Sequence, residues 1–104
     1  MLGLDTKPQF IKYRLWNNRR PITVVFADGE VWLNQNQVAE LYKLQLSTVN
    51  EHLRKITVAD GPYPAKHYAR RFRTPGKDGK LYEVWHYRLE AVEALSSRTR
   101  KSSL

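Results

Sequence analysis

Apolar residues in the first third of the chain occur in short runs that predict β-strands. Ile22–Phe26 has the β-branched and aromatic residues that strands prefer, and a second such run, Glu30–Leu33, follows the pair Asp28–Gly29. Asp-Gly between two apolar runs is a strong hairpin signal, because both residues tolerate the positive φ angles of the turn. Phe10–Trp16 is predicted as an earlier strand, which a turn at residues 17–21 connects to this hairpin.

A helical period begins at Asn34. Asn34 is a favourable N-cap residue, and Gln37, at the third helical position, completes the pattern of a capping box. Val38, Leu41 and Tyr42 then recur at the i, i+3, i+4 spacing of one apolar helix face. These positions predict a short amphipathic helix that starts at Asn34 and ends near Tyr42.

A second helix is predicted after a short turn. Ser47 is expected to cap this helix, and Val49, Leu53 and Ile56 share its apolar face. Asp60–Pro64 is rich in Gly and Pro and breaks regular structure, so the helix is expected to end before this segment.

The rest of the chain predicts a second hairpin and a closing helix. Residues 67–74 and 81–89 have the composition of strands, and residues 75–80 between them contain the Pro and Gly of a loop. Residues 89–95 have apolar positions at helical spacing, and residues 96–104 are expected to form a flexible basic tail.

Two short helices joined by a turn and followed by a β-hairpin are the element order of a winged helix-turn-helix. The predicted fold class is α+β, a small winged helix-turn-helix domain with an N-terminal β-hairpin or short antiparallel sheet. The single domain covers residues 1–95, with the helix-turn-helix at about 34–56 and the wing hairpin at about 67–89.

The composition allows one modest core and limits the class of protein. The chain has 104 residues, of which 41% are hydrophobic. It has no cysteine, so disulfides and thiolate metal sites are excluded, and a cytoplasmic location is expected. No apolar run approaches the ~20 residues of a membrane helix, and residues 1–6 do not resemble a secretory signal, so no membrane partner is expected.

Basic residues clearly exceed acidic ones, since the chain has 18 Lys and Arg and 10 Asp and Glu. An excess this large favours a polyanionic partner, because cations displace the condensed counterions of phosphates. Residues 66–80 contain six basic residues and one acidic residue, so the second hairpin is predicted to contact phosphates. A hairpin edge that is charged to resist strand pairing has a similar composition.

Leu33–Tyr42 contains the motif Gln-x-Gln-x-Ala-Glu-Leu, and Ser47–Leu53 reads Ser-Thr-Val-Asn-Glu-His-Leu. Asp78–Val84 reads Asp-Gly-Lys-Leu-Tyr-Glu-Val and is followed by Tyr87–Glu90. These segments resemble the N-terminal domain of the virulence-associated RhuM family, and the resemblance extends over Phe10–Leu95. It implies a DNA-binding domain of a prokaryotic or prophage transcription regulator.

Two positions depart from the pattern of that family. Lys43 occupies the turn where family members usually carry Gly, and a left-handed conformation there costs a non-Gly residue roughly 1 kcal/mol. Glu51 replaces a basic residue of the second helix. Its carboxylate either repels phosphates or accepts a hydrogen bond from a cytosine amino group.

In a helix-turn-helix, the N-terminal half of the second helix faces base edges in the major groove. The residues predicted to read bases are Gln45, Ser47, Thr48, Asn50 and Glu51. The residues predicted to contact phosphates are Arg54, Lys55, Arg70, Arg71, Arg73, Lys77 and Lys80. The predicted partner is double-stranded DNA, which such proteins often bind as homodimers.

Two other functions stay open from the sequence alone. Glu51 and the missing turn Gly favour a module that binds a protein partner, such as a toxin or a phage component, on a helix-turn-helix scaffold. The three Trp and six Tyr allow binding of single strands or RNA by stacking. Trp32 and Trp85, however, are expected to pack in the core.

The sequence has no recognisable pattern of catalytic or metal-ligating residues. His52, His67 and His86 are widely separated and lack the spacing of metal ligands. No Gly-rich phosphate loop and no grouping of nucleophile, base and orienting residue are present. Neither an enzyme nor a cofactor or metal site is therefore expected.

Overall fold

The chain folds into a sheet of five strands and four helices, as seen in a computed structural model that describes residues 7–15 and 20–99. The strands are β1 (Gln9–Tyr13), β2 (Ile22–Ala27), β3 (Glu30–Asn34), β4 (Ala69–Pro75) and β5 (Leu81–Arg88). The helices are α1 (Gln35–Tyr42), α2 (Leu46–Ile56), α3 (Ala65–Tyr68) and α4 (Leu89–Thr99). Most of the turn predicted at residues 17–21 lies outside the described residues.

All strand pairs are antiparallel, and the sheet has the order β1-β2-β3-β5-β4. The helices α1, α2 and α3 follow β3 in the chain, and β5 returns to pair with β3. Both predicted hairpins are confirmed, although β1 ends at Tyr13, before the predicted end at Trp16. The chain is thus a small α+β domain, as the sequence predicts.

The turn between β2 and β3 has the backbone conformation that its sequence predicts. Asp28 and Gly29 have φ angles of 54° and 74°, respectively. Two consecutive positive φ angles match the right-handed twist of the flanking strands, and Asp-Gly is a preferred pair for such a turn. The local sequence therefore determines where this hairpin reverses.

The start of α1 is the predicted capping box. The Asn34 side-chain oxygen accepts a hydrogen bond from the Gln37 backbone N–H at 2.8 Å, and the Gln37 side-chain oxygen accepts one from the Asn34 N–H at 3.0 Å. The helix ends at Lys43, whose φ and ψ angles are 57° and 47°. A lysine thus occupies the left-handed position at which the resemblance implies glycine.

The start of α2 differs from the prediction. Gln45 is the N-cap residue, with an extended backbone and no side-chain capping bond, and Ser47 lies inside the first helical turn. The prediction of Ser47 as the cap is therefore wrong. The left-handed Lys43 reverses the chain at once, so the helix begins earlier than the sequence preference for a Ser cap indicates.

Two further boundaries differ from the prediction. Residues 67 and 68 belong to the helical turn α3, not to a strand, because the carbonyl of Pro64 accepts hydrogen bonds from the His67 and Tyr68 N–H groups at 2.9 and 3.0 Å. The helix α4 continues to Thr99, whereas a flexible tail was expected from Ser96. Residues 100–104 of that expected tail lie outside the described part of the chain.

Three of the helices, α1, α2 and α4, cover one face of the sheet, which we call the helix-side face. α1 and α4 pack on the sheet, and α2 packs mainly on α1 and α4. The buried residues of this core are Leu15, Val24, Val31, Leu33, Val38, Leu41, Val49, Leu53, Val92 and Leu95.

A smaller apolar cluster lies on the opposite face of the sheet and contains Val25, Ala27, Trp32 and Phe72. The rings of Trp32 and Phe72 meet edge to face, with centroids 5.4 Å apart. The Trp32 indole N–H donates to the Ala27 carbonyl at 3.1 Å, so its polar group is satisfied. The prediction that Trp32 packs in the core is confirmed.

Candidate functional site

The outer face of α2 is a continuous exposed stripe. Ser47, Glu51, Arg54 and Lys55 are exposed, and the exposed Val58 follows the helix on the same side. On the opposite side of the helix, Val49 and Leu53 are buried, with 0% and 1% of their surface exposed. The packing on α1 and α4 therefore leaves one face of α2 available to a partner.

The charges on this stripe partly cancel. The Glu51 carboxylate lies 3.4 Å from the Lys55 ammonium, at the i,i+4 spacing of a helical ion pair. The guanidinium of Arg54 has no carboxylate within 4.0 Å among the described residues. Arg54 is thus the unneutralised cation of the helix face.

The other predicted base-reading residues differ in their accessibility. Gln45 is exposed at the N-cap of α2, whereas Thr48 and Asn50 are half-buried at the edges of the stripe. The Asn50 side-chain oxygen is buried and has no hydrogen-bond partner in the described structure. A bidentate contact to adenine needs both amide atoms, so Asn50 cannot make one in this rotamer.

Strand register determines which side chains of the β4–β5 hairpin lie on the helix-side face. Leu33, a core residue beneath the helices, pairs with Tyr87, and Trp85 follows on the same face of β5 because side chains alternate. Arg71 pairs with Trp85, and Arg73 pairs with Glu83. Arg71 and Arg73 therefore lie on the sheet face that carries the helices, including α2.

Arg70 lies on the opposite face of the hairpin, paired with His86 in the register. Its guanidinium forms an ion pair with Asp28 and lies 5.7 Å from the Trp32 ring centroid and 5.1 Å from that of Phe72. The charged group of Arg70 thus contacts a carboxylate and two aromatic rings of its own chain. The sequence groups this residue with Arg71 and Arg73, but the structure separates it from them.

Arg71 stacks on an exposed aromatic ring. Its guanidinium carbon is 5.4 Å from the Trp85 ring centroid, and its Nη1 is 3.6 Å from the Glu83 carboxylate. Trp85 is 48% exposed, so the prediction that it packs in the core is wrong. Trp85 is exposed because this part of β5 extends beyond the section of the sheet that the helices cover.

The tip of the hairpin is a well-defined turn. The Asp78 carboxylate accepts hydrogen bonds from the Lys80 N–H at 3.0 Å and from the Tyr82 hydroxyl at 2.5 Å, and Gly79 has a φ of 83°. The bond from Tyr82 is the main reason why the pKa of Asp78 is lowered. Lys77 and Lys80 are exposed on this turn.

The predicted phosphate contacts thus form two groups. Lys55, Arg70 and Arg71 are each paired with a carboxylate. The other predicted contacts, Arg54, Arg73, Lys77 and Lys80, have no carboxylate within 4.0 Å among the residues described, and neither does Lys66 of α3. Lys66 and the exposed Trp85 were not among the predicted site residues.

His86 is a buried group rather than part of the exposed surface. It is 1% exposed, its Nδ1 lies 2.8 Å from the Val84 carbonyl, and its ring meets Phe72 edge to face. Burial lowers the pKa of His86, because desolvation disfavours the charged imidazolium. No group of three or more His, Asp or Glu side chains suited to a metal ion occurs among the described residues.

No family model, curated protein or solved structure matches this chain. No helix in the described part of the chain is long and apolar enough to cross a membrane.

Proposed function

We propose that this chain binds double-stranded DNA as a winged helix-turn-helix domain of the RhuM type. In this proposal α1 and α2 form the helix-turn-helix, α2 is the recognition helix in the major groove, and the β4–β5 hairpin is the wing. The observation that carries the proposal is the strand register, which puts Arg71 and Arg73 on the same sheet face as the helices. A single duplex can then contact both α2 and the wing.

Phosphate binding is assigned to the cations whose charge no carboxylate neutralises. Arg54 on α2, Arg73 on β4 and the tip residues Lys77 and Lys80 have this property. Each contact to a phosphate releases condensed counterions, so the affinity for any DNA sequence falls with salt. This part of the interface supplies affinity and orientation rather than sequence preference.

Base readout is assigned to the exposed side chains at the start and along the outer face of α2. Gln45 and Ser47 carry hydrogen-bonding groups near the helix N-terminus, and Glu51 can accept from a cytosine amino group. Thr48 and the amide nitrogen of Asn50 act at the edges of this face. The protein would then act as a cytoplasmic transcription regulator.

The test is a selection of bound duplexes from a random pool, followed by titration of the selected duplex at several salt concentrations. We expect a sequence preference and an affinity that falls steeply between about 50 and 200 mM salt. The control variant is Lys12→Ala. Lys12 is exposed on β1, and its pairing with Thr23 places it on the face opposite the helices, so its loss should leave the salt dependence unchanged. Absence of duplex binding at physiological salt contradicts the proposal.

A second candidate function, binding of a protein partner through α2, is favoured by a separate observation. Leu46 and Val58 are 42% and 45% exposed at the two ends of the α2 stripe, and the Glu51–Lys55 pair lowers its net charge. Exposed apolar residues beside a neutralised ion pair suit a protein surface. Failure to bind any duplex, together with capture of a protein partner that Leu46→Ser abolishes, would support this candidate instead.

A further inference from the structure

We infer that Trp85 is a non-electrostatic contact to DNA, in which the indole packs against the deoxyribose rings of the strand that the wing follows. This inference rests on the proposed DNA-binding function. It adds an apolar contact to the ionic contacts with phosphates. The residue concerned, Trp85, is one that the sequence predicts to lie in the core.

The first observation is that Trp85 exposes a large apolar surface without a covering element. The side chain is 48% exposed in the middle of β5, and Leu81, further along the same face, is 61% exposed. Trp side chains are highly buried on average, and Trp is enriched among the residues that dominate binding interfaces. The ring is also held in place, since the Arg71 guanidinium lies 5.4 Å from its centroid.

The second observation is the position of Trp85 between the helices and the tip. Tyr87 lies next to α1, because its hydroxyl oxygen is 3.5 Å from the Gln35 side-chain nitrogen. Because a strand rises about 3.3 Å per residue, Leu81 lies about 20 Å beyond Tyr87 along β5. Trp85 is at the inner end of this span. In the proposed complex, a duplex that contacts both α2 and the tip would pass over this part of β5.

The third observation is the charge around Trp85, which identifies the chemistry of the partner. Arg71 and Glu83 form an ion pair beside the ring, whereas the charged groups of Arg73, Lys77 and Lys80, further out, have no carboxylate within 4.0 Å among the described residues. This arrangement suits a partner with both anionic and apolar parts. DNA has phosphates next to deoxyribose rings, whereas the sugar rings of a sulfated polysaccharide carry hydroxyl, sulfate and carboxylate groups and so offer a more polar surface.

The arrangement favours a duplex over a single strand. Binding of successive unpaired bases needs several exposed aromatic platforms. On the helix-side face of the hairpin, the other aromatic side chain of β5 is Tyr87, which is half-buried. Tyr82 is exposed but lies on the other face, where its hydroxyl donates to Asp78. A single exposed indole therefore suits contact with the edge of one deoxyribose ring of a duplex better than stacking on a series of unpaired bases.

The test compares Trp85→Ala and Trp85→Phe with the full chain, using the selected duplex and size-fractionated heparin as probes. We expect Trp85→Ala to weaken duplex binding about tenfold at every salt concentration, with an unchanged salt slope, and to leave heparin binding unchanged. Trp85→Phe should recover part of the loss. Duplex should quench the indole emission of the wild type more than that of Trp85→Phe.

The matched control is Phe10→Ala, which removes a 52% exposed apolar side chain from the face of the sheet opposite the helices. It should not change duplex binding. Equal weakening of duplex and heparin binding, or no weakening of either, overturns the role of Trp85 while the proposed function stands. If the wild-type chain binds heparin but no duplex, both the proposed function and this inference fail.

Discussion

Arg70 and Asp28 form an ion pair that joins the edge strand β4 to the turn between β2 and β3. The pair lies on the sheet face opposite the helices, above the ring of Trp32. Arg73, only three residues further along β4, lies on the other face and has no such partner among the described residues. Two arginines three positions apart on one strand thus have different surroundings, and separate substitutions can test whether their roles differ.

Replacement of Arg73 by Ala is expected to lower the salt slope of duplex binding by about one unit, because one phosphate contact is lost. Arg70→Ala is expected to leave the slope unchanged and to reduce the free energy of unfolding by up to about 1 kcal/mol, since its pair is half-exposed. Titration across salt and urea denaturation measure the two effects. An equal loss of slope in both variants would show that Arg70 also reaches DNA.

Lys43→Gly is expected to stabilise the protein by about 1 kcal/mol. Lys43 has a φ of 57°, and Gly adopts this left-handed conformation without the steric cost that a Cβ atom causes. The measurement is the midpoint of urea unfolding at constant m value. Lys43→Ala is the control, because it removes the same side chain and keeps the Cβ atom. A gain in both variants would point to the charge of Lys43 instead.

The stability of the protein is expected to fall as the pH falls from 7 to 5. Burial lowers the pKa of His86 below its usual value of 6.5. The unfolded chain therefore binds a proton at His86 in a range where the folded chain does not. Protonation then favours unfolding, so the stability present above pH 6.5 is lost towards the folded-state pKa.

The pH dependence is checked by urea unfolding at several pH values in the wild type and in His86→Gln, whose slope against pH should be smaller. His67→Gln is the control, because it makes the same substitution at an exposed histidine. A wild-type stability that is constant between pH 7 and 5 would contradict the neutral, buried state of His86.

Glu51→Gln is expected to strengthen non-specific duplex binding and to steepen its salt slope by up to about one unit, since Lys55 is released from its ion pair. The same change should alter the base preference at the position that Glu51 faces. Selection from a random pool measures the preference. Glu90→Gln on α4 is the control, because it changes the net charge equally, at a residue that lines a groove with Gly29 and Glu30 of the β2–β3 hairpin. An identical effect of both variants would exclude a local role for Glu51.

Local signals in the sequence predict much of this fold. The capping box at Asn34 and the Asp28–Gly29 turn each depend on residues within a few positions of one another. The i, i+4 spacing of Val49 and Leu53, with exposed residues between them, likewise defines the buried face of α2. These features follow from short-range geometry, so the sequence contains the whole of the information that they need.

The features that the sequence did not predict depend on contacts between distant segments. Trp85 is exposed because the helices cover only part of β5, and Arg70 is occupied because the sheet brings Asp28 next to it. The half-buried state of Asn50 likewise depends on how α2 sits on its neighbours. The residue type tells us whether each of these side chains is charged, polar or apolar. Strand register and helix packing determine which side of the molecule the side chain faces.

The turn at the tip of the β4–β5 hairpin has a consequence for binding. A Cβ atom at Gly76 would lie 2.6 Å from the Tyr82 ring, so the backbone packs directly beneath the ring, whose hydroxyl is bound by Asp78. The loop between the strands is already ordered in the free protein. Association therefore loses little conformational entropy at the tip, and Lys77 and Lys80 need only restrict their own side chains.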